Sequence, residues 1–409
     1  MFQMSLFDGS QPFKIDKPIR LIELFAGYGS QALSLKYLGV PFEHHVISEW
    51  AVKSIQAYKD MHFASDSTDY SMGMTDGELV DFLDGRISAD YNKPMTRKQI
   101  EKHNGGEKWR RAVYNNMKAT RNLGSITMAR GGGDLQVEET DKYCYILTYS
   151  FPCQDLSSAG KGAGMEKGSG TRSGLLWEVE RLLKECNELP QVLLMENVPD
   201  VTSKKNMPHF AQWIAFLDEL GYKTKWANLN AKEFGIPQNR ERCFAVSILG
   251  DYYYNHPTGF PLKKRLRDVL QKNVDESYYL KEETIQALNL HKERHDAKGN
   301  GFGWQPTTGG GYAKTIKTES GYRPSSNFVI EQPRENGKEI RGCRGNGDGA
   351  RLEGIWQSSD DGGDGNKKTI VMSRPHGYNR GGIEETDIFP TVRKSSTMDG
   401  NNGVVEWKK

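Results

Sequence analysis

The feature that most constrains the fold is a strand, a glycine-bearing turn and a helix near the start of the chain. Residues 19–25 are mostly apolar and of strand length, and Gly27 and Gly29 follow them directly. Leucines at helical spacing then continue to Gly39, and a second strand, "FEHHVISEW", precedes a second helix. The same alternation returns between residues 143 and 248. This order predicts an α/β fold with an open, mostly parallel sheet covered by helices on both faces.

Composition and charge narrow the class of protein. The 409 residues are enough for two or three domains. Lys and Arg total 55 against 53 Asp and Glu, so the net charge of +2 does not indicate nucleic acid, and any such surface must be local. No stretch approaches the roughly 18 apolar residues of a membrane span, and we expect no signal peptide. The five scattered cysteines lack C-x-x-C spacing, which predicts free thiols, no metal site and a reducing, cytoplasmic setting.

The order of the predicted helices and strands along the chain predicts its domains. Residues 1–18 form an N-terminal arm and residues 19–255 the main domain, with a helical insertion at about 61–130. Glycine-rich and short strand-like stretches in residues 256–409 predict a smaller, β-rich second domain. The last helix of the insertion carries Lys108, Arg110, Arg111, Lys118 and Arg121. We interpret it as a solvated face in preference to a phosphate-contacting one.

The glycine turn predicts a nucleoside site. Glu49 closes the second strand twenty residues after Gly29, where an acid binds ribose hydroxyls in sites of this kind. Ala32 occupies the position of a third, phosphate-type glycine, so S-adenosylmethionine suits the turn better than NAD. An ordinary strand-to-helix turn with a surface glutamate is the alternative.

Three later segments place reactive side chains where strands begin or end. Cys153 follows a strand and Pro152, Glu196 ends the apolar run "LLME", and Arg240 and Arg242 come just before or at the start of another strand. Ligands of open α/β sheets bind beyond the carboxyl ends of the strands. A thiolate nucleophile, a carboxyl that hydrogen-bonds a ring nitrogen and anion-binding arginines would form one site there. Taken alone, Cys153 could be an unreactive loop thiol and Glu196 a charge at a helix start. The two arginines could be solvated strand residues.

Taken together, these motifs resemble the DNA (cytosine-5) methyltransferase family. The cofactor motif of the family resembles "ELFAGYGS", its Pro-Cys-Gln motif lies in "FPCQDLSSAGKG" and its Glu-Asn-Val motif is "MENV". The Gln-x-Arg-x-Arg motif matches Gln238, Arg240 and Arg242. "GGGDL" and "RSGLLWE" resemble two adenine-contacting segments, with Leu175 or Leu176 as the packing leucine. The matches cover residues 19–248 in family order.

The resemblance implies a Rossmann-like methyltransferase fold, a target-recognition domain at 256–409 and methyl transfer from S-adenosylmethionine to carbon 5 of a flipped-out cytosine. The implied cofactor-binding residues are Phe25, Ala26, Gly27, Gly29, Glu49, Trp50, Asp134, Leu135, Pro152 and Leu175. The implied catalytic residues are Cys153, which forms the covalent adduct, Glu196, Arg240 and Arg242. The implied substrate-binding residues are Gln154, Ser157 and Gln238. The implied partner is double-stranded DNA in the nucleoid, with no membrane and no metal.

Two further motifs that normally end the family are not found in this sequence. We therefore expect either a truncated chain or a split enzyme that a complementing C-terminal polypeptide completes. The alternatives are an RNA cytosine-5 methyltransferase and an inactive DNA-binding remnant.

Overall fold

The computed structural model describes residues 11–153, 156, 164–271, 279–299, 303–315 and 327–330, and the backbone alone of six short strands between residues 340 and 408. The chain divides into two compact units. The first comprises Met1–Leu229 and Glu241–Pro257, and the second comprises Asn230–Arg240 and Thr258–Lys409.

A six-stranded sheet forms the centre of the first unit, in the order β3-β2-β4-β5-β8-β6. The strands up to residue 253 are β1 (Gln11–Pro12), β2 (Ile19–Leu24), β3 (Phe42–Ser48), β4 (Cys144–Tyr149), β5 (Val192–Asn197), β6 (Tyr222–Asn230), β7 (Gln238–Asn239), β8 (Glu241–Leu249) and β9 (Tyr252–Tyr253). Strands β3, β2, β4 and β5 pair in parallel, and β8 pairs antiparallel to β5. The predicted α/β fold with a mostly parallel sheet is therefore confirmed.

Helices lie along this sheet and bury its apolar side chains. Those of the first unit are α1 (Ser30–Tyr37), α2 (Val52–His62), α3 (Asp76–Leu83), α4 (Arg97–Glu101), α5 (Gly106–Ala119), α6 (Leu176–Glu185) and α7 (Met207–Glu219). The main core joins Leu147 of β4 and Leu193 of β5 to Val179 of α6 and Trp213 of α7. Strand β4, "CYILTY", is almost wholly buried, as expected for a central parallel strand.

The insertion forms a helical cluster on α2. Ile55 of α2 packs with Val80 and Leu83 of α3 and with Val113 and Met117 of α5. Both α3 and α4 begin with a capping box, in which a threonine and the third helical residue exchange hydrogen bonds. The predicted helices of this region are confirmed.

The interpretation of α5 as a solvated basic face is wrong for two of its arginines. Arg110 is 4% exposed, and its guanidinium contacts Asp76 (Nε to Oδ1 2.5 Å) and Ile100 O (2.9 Å). Arg111 donates to Ser71 O and Met74 O, each at 2.7 Å. These arginines hold loops and helices of the insertion together, and the sequence pattern did not indicate that because their partners are distant in the chain.

The second unit is built from short strands. It contains β7, α8 (Glu282–Asp296), β10 (Thr307–Thr308), β11 (Ala313–Lys314), β12 (Phe328–Ile330), β13 (Ile340–Gly342), β14 (Glu353–Gly354), β15 (Thr369–Ser373), β16 (Ile383–Thr386), β17 (Phe389–Pro390) and β18 (Val405–Lys408). These strands form sheets of two or three members. A 3-10 turn spans Leu266–Asp268 in the same unit. In the part of the chain that is described, no helix has the length and apolarity to cross a bilayer.

Candidate active site

The glycine turn after β2 is closed by side chains of α2. Gly29 has a left-handed backbone (φ 82°), and its N–H donates to Ala26 O at 2.9 Å. A Cβ at Gly29 would lie 2.6 Å from the Tyr58 ring and would also overlap His62. Both the backbone conformation and the packing therefore require glycine at this position.

Glu49 joins the end of β3 to the glycine turn. Its carboxylate accepts hydrogen bonds from the N–H groups of Gly27 (2.8 Å) and Ala51 (2.7 Å), and the residue is 8% exposed. Trp50 follows it half-buried, and Phe25 precedes the turn with a left-handed backbone (φ 58°). The structure thus brings together the residues that the sequence predicted around the ribose.

A second acid lies under the start of α1. Glu23 is 1% exposed, and its carboxyl accepts hydrogen bonds from Ala32 N–H (3.2 Å) and Tyr58 Oη (2.6 Å). Burial raises the pKa of Glu23 to about 7. Because this carboxyl already faces the first turn of α1, the helix start is poorly suited to bind a phosphate group.

The segment 122–125 was missed by the sequence analysis. Asn122 accepts from Glu49 N–H and donates to Glu49 O, each at 3.0 Å, and the Ser48 hydroxyl donates to Gly124 O (2.8 Å). Asn122 also forms a parallel bridge with Ile47 of β3. Asn122 therefore contacts Glu49 directly, and Gly124 contacts Ser48, the residue before it. The only signal in the sequence was a short Asn- and Gly-containing loop after a helix.

Asp134 and Leu135 lie in a turn next to the end of α6, away from Glu49. The Asp134 carboxylate accepts the Arg130 N–H (2.8 Å), and Leu135 is fully buried in the main core. Gly131, at the start of the same turn, donates to Glu185 at the end of α6 (2.8 Å). Since α6 begins at the carboxyl edge of the sheet and its ten residues extend about 15 Å, this turn is one helix length from that edge. The structure does not bring either residue to Glu49.

Cys153 lies just past the carboxyl end of β4 and is partly exposed. Its own carbonyl accepts the N–H of Leu156 (3.0 Å). The preceding residues are anchored, because Asn197 donates to Phe151 O (3.1 Å) and Ser173 donates to Pro152 O (2.8 Å). The backbone before the thiol is therefore tied both to β5 and to the turn before α6. Gln154 and Ser157 lie outside the described residues.

Glu196 and Arg242 form an ion pair at this edge. Glu196 is near the end of β5 and lies opposite Phe244 of β8, and Arg242 is the second residue of β8. Arg242 Nε is 3.1 Å from Glu196 Oε1, and both side chains are largely buried. Because Asn197 also reaches Phe151, the ends of β4 and β5 place the carboxylate and the thiol on the same edge of the sheet.

The remaining predicted residues are placed as follows. Leu175 is half-buried next to the main core, whereas Leu176 is fully buried, so Leu175 is the leucine with an accessible side chain. Gln238 and Arg240 belong to the second unit. There Gln238 pairs with Ala313 of β11, and the N–H of Arg240 donates to Asn230 Oδ1 (3.1 Å). Among the described residues, no three His, Cys, Asp or Glu side chains group as metal ligands.

Comparison with known proteins identifies the family. Residues 95–368 match the family of C-5 cytosine-specific DNA methylases. The chain is 36% identical over 275 residues to the type II methyltransferase M2.ScrFI of Lactococcus lactis subsp. cremoris, covering 65% of this chain and 71% of that protein. It is 38% identical over 264 residues to the orphan methyltransferase M.SssI of Spiroplasma monobiae, covering 64% and 67% of the two chains. Among solved structures, the Dnmt2 methyltransferase of S. pombe aligns with a TM-score of 0.49 and 16% identity over 78% of each chain. The chain therefore belongs to the C-5 cytosine-specific DNA methylase family and is a DNA cytosine-5 methyltransferase.

Proposed function

We propose that this methyltransferase uses Cys153 as a covalent nucleophile and S-adenosylmethionine as methyl donor. The observation that carries the proposal is the Glu196–Arg242 pair beside the anchored segment that leads to Cys153. A partly exposed thiol and an arginine-held carboxylate at one edge of a sheet are the two groups that activation of a cytosine ring requires.

The residues at the glycine turn fit a nucleoside cofactor without phosphates. Glu49 is fixed by two backbone N–H groups at the end of β3, where it reaches ribose hydroxyls. Glu23 occupies the start of α1, the place where a dinucleotide would rest its pyrophosphate. Pro152 and Leu175 would border the adenine and methionine side. We assign to Gly124 and Ser125 the place that the sequence had given to Asp134, because Gly124 contacts Ser48, which directly precedes Glu49.

The reaction then follows from the chain's own side chains. The thiolate of Cys153 forms a bond to carbon 6 of a cytosine that has left the duplex, while Glu196 hydrogen-bonds ring nitrogen N3. Arg242 fixes the position of Glu196 throughout. S-adenosylmethionine, when bound, would supply its methyl group to carbon 5 and leave as S-adenosylhomocysteine. A base then takes the carbon-5 proton, the electron pair of that C–H bond re-forms the C5–C6 double bond, and the bond from carbon 6 to the sulfur of Cys153 breaks to return the thiolate.

Residues 256–409 are proposed to read the DNA sequence, with Gln238 and Arg240 contributing contacts from the same unit. This unit contains both residues and the β-rich segments that follow them. A complementing C-terminal polypeptide stays a prediction, which the activity of the chain alone would test.

The test is transfer of label from S-adenosylmethionine to duplex DNA by wild type, Cys153→Ser and a matched Cys186→Ser control. Cys186 is also partly buried, and burial raises the pKa of its thiol to about 11, so it is a poor nucleophile. Label should disappear only in Cys153→Ser. A duplex with 5-fluorocytosine should trap wild type covalently, because fluorine cannot leave carbon 5 as a proton does. Label transfer that survives Cys153→Ser, or transfer RNA that outcompetes DNA, would contradict the proposal.

A further inference from the structure

A loop of the helical insertion runs along the end of β3. The N–H of Ser88 donates to Trp50 O (2.7 Å), and Ser88 O accepts from Val52 N–H (3.0 Å). Ser88 is fully buried. Since Glu49 directly precedes Trp50, these two hydrogen bonds hold the loop 88–93 against the residues that follow the ribose acid.

Tyr91 is clamped in this loop in a conformation that a bulky residue rarely adopts. Its backbone is left-handed (φ 64°). The N–H of Tyr91 donates to the Ser88 hydroxyl (3.0 Å), and its phenol contacts the Ser54 hydroxyl in the first turn of α2 (3.2 Å). Strained residues of this kind persist where surrounding contacts over-determine them, and they concentrate at ligand clamps.

The Tyr91 phenol also interacts with the negative charge of Glu49. Burial raises the pKa of Tyr91, and the negative charge of Glu49 raises it further, against a lowering by the Ser54 contact. The phenol is therefore close enough to the Glu49 carboxylate to interact with its charge, and it contacts Ser54 in the first turn of α2, five residues after Glu49. Tyr91 is only half-buried, so part of its surface is open to a ligand.

Asn92, the residue after Tyr91, connects the loop 88–93 to the segment that leads to Cys153. Arg172 donates to Asn92 Oδ1 (2.6 Å). The neighbours of Arg172 anchor the segment that carries the thiol: Thr171 donates to Gly164 O (3.1 Å), and Ser173 donates to Pro152 O (2.8 Å). One turn thus links the insertion both to Pro152 and to Gly164.

We propose that Tyr91 is a cofactor-binding residue supplied by the insertion. Its ring forms the wall of the nucleoside pocket beside Glu49 and packs against the ribose. The Asn92–Arg172 hydrogen bond ties this wall to the turn that anchors Pro152 and Gly164. The inference rests on the proposed use of S-adenosylmethionine, and it assigns the insertion a part in cofactor binding.

Calorimetric titration with S-adenosylmethionine tests this assignment. Tyr91→Gly removes the ring and relieves the left-handed strain, and Tyr91→Asn is a second ring-less variant that tolerates this backbone. Both should raise the Kd about tenfold, the equivalent of one lost aromatic contact with its buried area. Tyr91→Phe keeps the ring and should stay within about threefold of wild type. In steady state, the KM for S-adenosylmethionine should rise while the KM for DNA does not.

Tyr70→Ala is the matched control, since this tyrosine is in the same insertion, is 40% exposed and contacts Asp66 at the surface. Its Kd should equal that of wild type. A Kd within about twofold of wild type for a folded ring-less variant would overturn the role of Tyr91 alone. Absence of binding by wild type would overturn the proposed cofactor as well, so the two failures are distinguishable.

Discussion

Arg242 Nε lies 3.1 Å from Glu196 Oε1 across the antiparallel pair of β5 and β8. The two side chains are only 17% and 24% exposed, so solvent screens their interaction less than it screens a surface pair. This pair positions the carboxylate, whereas the thiol is positioned by the separate anchors of Phe151 and Pro152.

Removing the guanidinium should therefore impair chemistry more than binding. We expect Arg242→Gln to lower kcat by about two to three orders of magnitude, because Glu196 loses the group that orients it. The KM for DNA should change much less. Single-turnover methylation measures this, with Lys223→Gln as control, since Lys223 pairs with Asp218 on the surface. An equal loss in both variants would count against the positioning role.

The buried acid under α1 should make stability depend on pH. The folded pKa of Glu23 is about 7, above the ordinary 4.5, so the folded state keeps a proton that the unfolded state has lost between these values. This contribution is fully present below pH 4.5 and is lost as the pH rises through 7. His44 and His62 oppose it, since burial lowers their pKa values to about 4 and 3.

The comparison of wild type with Glu23→Gln isolates the glutamate. Between pH 5 and 7, the free energy of unfolding of wild type should fall relative to the variant by about 1.4 kcal/mol per pH unit. Urea unfolding at several pH values measures the difference. Parallel curves for the two proteins would show that Glu23 does not titrate as described.

The glycine turn offers a test with an internal control. Gly29→Ala should destabilise the protein by about 3 kcal/mol, because it combines a left-handed backbone with overlap against Tyr58 and His62. Gly39 also has a positive φ (68°), but a Cβ there meets no atom within 4 Å. Gly39→Ala should therefore cost only about 1 kcal/mol. Similar thermal unfolding of both variants would contradict the packing around Gly29.

The basic helix of the insertion should be structural. We expect Arg110→Ala to reduce the free energy of unfolding by about 2–3 kcal/mol, because it removes a buried guanidinium that contacts both Asp76 and Ile100. The exposed Lys108 provides the control, and Lys108→Ala should be neutral. Neither variant should change the salt dependence of DNA binding. A shallower salt dependence in Arg110→Ala would instead indicate a phosphate contact.

The positions of many candidate site residues could be predicted from the sequence, because they depend on local patterns. Gly27 and Glu49 follow strands at fixed spacing, and Cys153 and Glu196 end adjacent parallel strands. Strand ends in a parallel sheet meet at one edge, so the chain order of these residues was enough to place them there. Asp134 shows the limit of this reasoning, because its motif matched by letters and its turn packs at the far end of α6.

The sequence by itself determined the alternation of strands and helices, the glycine turn and the identity of the reactive side chains, because each depends on residue type and short-range period. Only the tertiary structure decided that Asn122 supports Glu49, that Arg110 is buried and that Tyr91 contacts Ser54 of α2. Each of these contacts joins residues tens of positions apart across an insertion. Their proximity follows from the packing of α2, α3 and α5, which no local pattern records.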